Sequence, residues 1–268
     1  MTKTLAFIFL IIVSAISLFP FYILVMMSTH TTTAIFRGEF FLPGSYFINN
    51  VQTVLASNFF RFYANSLIVS ISSTFLCVLI SALAGFALSK YEFKYRSAIY
   101  AFILMTMMVP GQIGSIGYLL QMRAMGLNNT LIPLIIVWTT SAFGVFWMTQ
   151  FIKTAVPTEL IESSKIDGCS EIGIFFKMVI PCIRPAIATL SMVVFLWSWN
   201  SYMLPLIIVT RESLFTIPLF IATLGTAYRT DSAAQMAGLL LATVPLLIVF
   251  ILGSKNFIRG LTAGAVKG

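Results

Sequence analysis

Histidine is almost absent. His30 is the single example in 268 residues, so a histidine-based metal centre or acid–base dyad has no material to be built from. Cysteine is scarce as well: Cys77, Cys169 and Cys182 are odd in number and lack metal-ligand spacing, which leaves free thiols as the expected state. Charged residues make up only 9% of the chain, with eight acids against sixteen bases. No Asp, Glu, Lys or Arg lies near the middle of a long apolar run. Proton- and ion-driven carriers usually need ionisable groups at mid-membrane despite their cost, so this lack weighs against them, although backbone carbonyls can hold sodium without such groups. A Walker P-loop, a G-x-S-x-G elbow and an H-E-x-x-H helix are also missing. No catalytic residue, metal site or cofactor of its own is visible on the chain, and nothing supports a membrane-embedded enzyme. If work is done here, another chain supplies the energy.

What is present is apolar. Hydrophobic residues reach 59%, with 25 phenylalanines, more than a soluble core can use. Apolar runs of about 20 residues, long enough to cross the hydrocarbon layer as helices, account for this. Six spans are expected, at 5–28, 64–89, 97–122, 131–152, 186–209 and 235–254, in one transmembrane domain over 1–268. The first run is too long for a signal-peptide core and lacks a cleavage site, so it is read as a retained span. Pro20, Pro133, Pro205 and Pro245 fall inside spans, where neighbouring helices can repair the kink. The stretch VPGQIGSIG, with two breakers and a glutamine, suggests a helix broken beside a cavity. The segment from about Thr29 to Tyr63 mixes Phe36, Phe40, Phe41, Phe47, Phe59 and Phe60 with polar residues. It reads as a partly helical interfacial segment, or else as a contact surface for an external partner.

With the N-terminus inside, eleven of the sixteen Lys and Arg fall in cytoplasmic segments, namely Lys3, Lys90, Lys94, Arg96, Lys153, Lys165, Lys177, Arg184, Lys255, Arg259 and Lys267. The other five, Arg37, Arg61, Arg123, Arg211 and Arg229, lie outside. That bias places both termini in the cytoplasm. It also explains the +8 formal charge without a nucleic-acid partner, since no basic patch collects in one place.

Four of the eight acids, Glu159, Glu162, Asp167 and Glu171, crowd into the loop at 154–185. Pro157 suits a first helical turn, where Glu159 and Glu162 meet the positive end of the helix dipole. Leu160, Ser163 or Ser164, and Asp167 are spaced to share a face, and Glu162 can reach Lys165 at i,i+3. Gly168 breaks the helix, and Ser170 can cap a second one that ends near Pro181. Spacing alone leaves two readings, a docking element and a solvated amphipathic loop.

The pattern E-x-x-x-x-D-G at Glu162–Gly168, followed by Pro181 and Pro185, resembles the EAA loop of ABC importer permeases. More narrowly, the chain resembles the smaller, MalG-type permease of the carbohydrate-uptake class related to the maltose transporter. LFPFYILVMMS, NSLIVSISST, ALAGFALSKYEFKYR, WSWNSYMLPLIIV and the ending FIRGLTAGAVKG carry the likeness along nearly the whole chain. One departure is that the family's paired alanines after the glutamate are Ser163 and Ser164 here.

The resemblance implies an all-α type I ABC importer permease fold with six transmembrane helices in a bacterial-type inner membrane. It implies a second permease subunit, a cytoplasmic ABC ATPase dimer that carries ATP and Mg, and an extracytoplasmic sugar-binding protein. The loop at 157–181 then becomes a coupling helix seated in a groove of the ATPase. In that role Glu162 supplies polar contacts, Leu160 and Ile166 apolar packing, Ser163 and Ser164 close approach, and Gly168 the turn, with Asp167 among the coupling residues. The tail Leu261–Gly268 is either a second ATPase contact or a flexible terminus. In the fifth span Trp197, Trp199, Asn200 and Tyr202 combine flat rings with amide and hydroxyl groups, as a sugar path needs. Each of them alone reads first as an interfacial or packing residue. The rival function is a self-sufficient secondary carrier for a small polar solute.

Overall fold

The structure is a computed structural model that describes the backbone of residues 2–226 and 229–263 and the side chains of 3–225 and 230–253. The described residues are helical apart from turns and a two-residue antiparallel ladder in which Gly225 faces Thr230. In chain order the helices are α1 (Thr2–Ser28), α2 (Thr32–Phe36), α3 (Phe47–Ala56), α4 (Phe59–Lys90), α5 (Arg96–Thr106), α6 (Ser115–Ala124), α7 (Ile132–Thr139) and α8 (Ala142–Ala155). They continue as α9 (Thr158–Ile166), α10 (Glu171–Ile174), α11 (Ile180–Cys182), α12 (Arg184–Trp199), α13 (Met203–Ile208), α14 (Ile217–Thr223) and α15 (Ser232–Ala263). A π-helical turn, Phe175–Val179, joins α10 to α11.

Among the described residues four stretches are long and apolar enough to cross a bilayer: Lys3–Ser28, Phe59–Lys90, Ile132–Ala155 and Ser232–Gly253. Two bent pairs raise the number to six if each counts as one span. The first pair shows the break expected at VPGQIGSIG in the third span. α5 and the helical stretch Gly111–Ala124 meet at 88°, and the break falls on Met107–Pro110. Proline has no N–H to continue a helix and pushes the residue before it out of helical geometry; Pro110 itself is extended. In the second pair Glu171–Cys182 turns by 82° into α12. The expected fifth span is likewise interrupted, because α12 ends at Trp199 and α13 starts at Met203. The fourth pauses at Thr140 and Ser141, whose hydroxyl accepts from the Gly144 N–H at 3.1 Å to restart the helix as α8.

The chain gathers into two compact units. One comprises residues 1–64 and 215–246. Its core joins Val54, Phe59 and Phe62 to Ile217, Phe220 and Ile221 of α14 and to Ala234 and Ala237 of α15. The Phe62 and Phe220 rings lie 4.5 Å apart, and burying such rings is the largest single apolar contribution a side chain makes. The segment after α1 is partly helical, as expected. Asn50 fixes its path by donating to the Ser28 and His30 carbonyls, both at 2.8 Å.

The second unit, residues 65–214 and 247–268, carries the charged loop. Its core runs from Cys77 and Phe86 of α4 through Met148 and Ile152 of α8 to Ile161, Ile174, Phe175, Val179, Ile183 and Leu190. Small residues let α4 and α8 approach closely, the usual device where lipid offers no hydrophobic drive between helices. A Cβ on Gly85 would stand 2.8 Å from the Met148 Cβ, and one on Gly144 would stand 2.4 Å from the Ser81 Oγ.

Candidate functional site

The charged loop begins where α8 ends. Pro157 is extended and stands just before α9 rather than inside its first turn, so Thr158 opens the helix. α9 has two opposed faces. Ile161 and Ser164 are 5% and 3% exposed, with Ile161 in the α4–α8 core, whereas Ile166 is 86% exposed. Glu162, Ser163 and Asp167 are exposed and Leu160 is half-buried. The Glu162 and Asp167 carboxylates have no hydrogen-bond or ion-pair partner among the described residues. Ser163 and Ser164 both donate to the Leu160 carbonyl, at 3.2 and 2.7 Å. Each hydroxyl thereby turns back on its own helix, Ser163 on the exposed face and Ser164 on the buried one.

The end of α9 is a Schellman turn. The Gly168 N–H donates to the Lys165 carbonyl and the Cys169 N–H to the Ser164 carbonyl, both at 3.0 Å. Gly168 has φ of +77°, a conformation that only glycine adopts without steric cost. Ser170 then accepts from the Gly173 N–H at 3.2 Å and caps α10, as the sequence predicts. The expected Glu162–Lys165 pair does not form. Lys165 instead reaches across the turn to Glu171 at 2.9 Å and lies 4.7 Å from the Tyr91 ring centre. The Tyr91 hydroxyl donates to Glu171, and Lys90 donates to the Val156 carbonyl. Both limbs of the loop are thus tied to the end of α4.

Sequence reasoning missed the anchor and the tie. Ile161 carries a signal, since it stands three residues before small Ser164 on one helical stripe. Tyr91 carries none, because it lies 80 residues before Glu171.

The fifth-span aromatics separate. Trp197 is 43% exposed and packs 6.3 Å from Trp138 and 5.5 Å from Phe143. Phe143 stacks on Trp147, which is followed by Phe151, so a ladder of rings runs along α8. Trp199 is 2% exposed and stacks on Phe195. Asn200 closes the end of α12 by donating to the Leu196 carbonyl at 2.8 Å, and Tyr202 is 40% exposed. The three cysteines are free. Among the described residues no cluster of His, Cys, Asp and Glu is arranged to hold a metal. Of the tail Leu261–Gly268, residues 264–268 lie outside the described residues.

Residues 77–262 match the family described as binding-protein-dependent transport system inner membrane component. The arabinooligosaccharides transport system permease protein AraQ of Halalkalibacterium halodurans is 32% identical over 96% of this chain and 93% of that protein. The lactose transport system permease protein LacG of Rhizobium radiobacter is 34% identical over 94% and 92%. Among solved structures, a chain of a bacterial ABC transporter involved in import of the acidic polysaccharide alginate superposes with a TM-score of 0.81, at 20% identity and 96% coverage of both chains. The fold is therefore that of an ABC importer permease, and a self-sufficient secondary carrier is set aside by a family defined through dependence on a binding protein. The chain belongs to the inner membrane components of binding-protein-dependent transport systems, the multi-pass permease subunits of ABC importers, whose ATPase is a separate chain.

Proposed function

We propose that this chain is one of two permease subunits of an ATP-driven importer for sugars or oligosaccharides, acting as one transmembrane domain with both termini cytoplasmic, and that residues 157–181 seat on the ATPase. One observation carries the coupling role. α9 offers Glu162, Ile166 and Asp167 outward without internal partners, while Ile161 and Ser164 lock its other face to the bundle. Such a helix suits a polar protein groove with one apolar hollow, since exposed Ile166 gains by burial and the acids gain partners. ATP and Mg belong to the ATPase in this reading. ATP binding closes the ATPase dimer, and α9 passes that movement to α4 and α8.

Sugar as cargo is supported by the relatives named for arabinooligosaccharide and lactose transport. Trp197, Asn200 and Tyr202 are the residues of this chain best placed for a solute path. Trp199 supports the same helix end from within. The test is reconstitution of this chain with its second permease, the ATPase and an extracytoplasmic binding protein in liposomes. Uptake of labelled oligosaccharide is expected only with ATP and the binding protein together. Uptake by this chain alone under an ion gradient would sink the proposal.

A further inference from the structure

A second polar feature stands apart from the charged loop. Between the end of α4, the start of α5 and the last turns of α8 lies a pocket of about 230 Å³, far larger than the ~30 Å³ one water occupies. Arg96 and Lys153 line it, with Ser97, Tyr100 and Gln150, and no Asp or Glu does. Arg96 has one nitrogen engaged, with Glu92 at 2.6 Å and the Tyr91 carbonyl at 3.1 Å. Lys153 and the Ser97 hydroxyl have no partner among the described residues. Gln150 donates to the Tyr100 hydroxyl at 2.9 Å and so holds one wall in place. Ser97 lies in the first turn of α5, where backbone amides still lack helical carbonyls and favour negative charge.

The floor is apolar, formed by Leu88 and Leu104. Past Leu104 the same side of α5 leads to exposed Met107 and Met108 at its end. An occupant must therefore be anionic at one end and apolar at the other. A free anion would satisfy the cations and leave the apolar lane empty. We infer that this pocket holds the phosphodiester headgroup of an anionic phospholipid, with Lys153, Arg96 and Ser97 around the phosphate and an acyl chain along α5. The site lies at the loop-bearing end of the bundle, because α8 runs directly into α9.

The test uses the assembled importer purified in mild detergent, titrated with phosphatidylglycerol or phosphatidylcholine and read by native mass spectrometry. Phosphatidylglycerol is expected to be retained in preference to phosphatidylcholine. Lys153→Gln is expected to lower that retention about fivefold, the worth of one basic residue at a lipid surface. If Lys153→Gln does not assemble, Ser97→Asp serves, since an acid in a first helical turn is tolerated yet repels the phosphate; it is expected to abolish the preference. Equal retention of the two lipids, or retention unchanged in the assembled variants, overturns the assignment. So does binding of inorganic phosphate alone that displaces phosphatidylglycerol at equal concentration, which would mark a soluble anion site. The readout does not depend on which membrane face carries the loop, so a failed topology leaves it intact.

Discussion

α1 and α9 reverse the expected relation between composition and burial. α1 is apolar from Leu5 onward, yet Phe7, Leu10 and Ile16 are 65%, 60% and 67% exposed and its most apolar stretch buries nothing. α9 is short and half polar, TELIESSKI, yet sets Ile161 into the main core of its unit and buries Ser164. In a chain built for a bilayer, hydrophobicity reports what an element faces, lipid or another subunit. Core membership follows from close packing, which a single isoleucine on a polar helix can supply.

The comparison is broken most severely at the turn that ends α9. In Gly168→Pro the ring fixes φ near −65° and removes the N–H bonded to Lys165, a cost of about 3 kcal/mol or more. Uptake in reconstituted importer is expected to vanish while ATP hydrolysis escapes control by the binding protein; uptake within twofold of the unaltered protein would contradict the coupling role. Next comes Ile161→Ala, expected to cost about 2–4 kcal/mol through the cavity it leaves. Leu10→Ala on α1, facing no core, is expected to stay within about 0.5 kcal/mol. Thermal unfolding of the solubilised importer compares them, and equal shifts would erase the distinction between the two helices.

Smaller still is Glu171→Gln, which removes the cross-turn pair with Lys165. Both side chains are about half exposed, so about 0.2–1 kcal/mol is expected, shrinking as salt is raised; a loss equal to that of Ile161→Ala would make the clip part of the core. Glu162→Ala should leave the melting temperature unchanged, since the carboxylate has no internal partner, and still lower uptake in the transport assay. A stability loss there would reveal an internal role for Glu162 and move it to the anchored face.

Much of the architecture was legible in the sequence because it rests on local chemistry. Pro110 marks the break in the third span, Gly168 the turn and Ser170 the cap, each through a property of one residue and its neighbours. Contacts that depend on the folded turn were not legible. Spacing offers Lys165 the acid at Glu162, but the Schellman turn swings Glu171 into reach instead. The same holds for Tyr91, brought to the loop by α4 packing, and for Trp199, whose ring turns inward where its neighbour Trp197 stays open. The pause at Thr140–Ser141 left only a weak trace, because serine and threonine are ordinary inside apolar spans.

The α4–α8 seam has a mechanical consequence. With no space for a methyl group at Gly85 or Gly144, the two helices have no clearance in which to slide, and a tightly packed contact of this kind resists shear. They act as one stiff beam with α9 fastened to its end. Compliance is left to the breaks, among them 107–110, 140–141 and 200–202, where no continuous helix resists bending. A displacement of α9 would therefore pass into the beam, and the chain yields at its breaks instead.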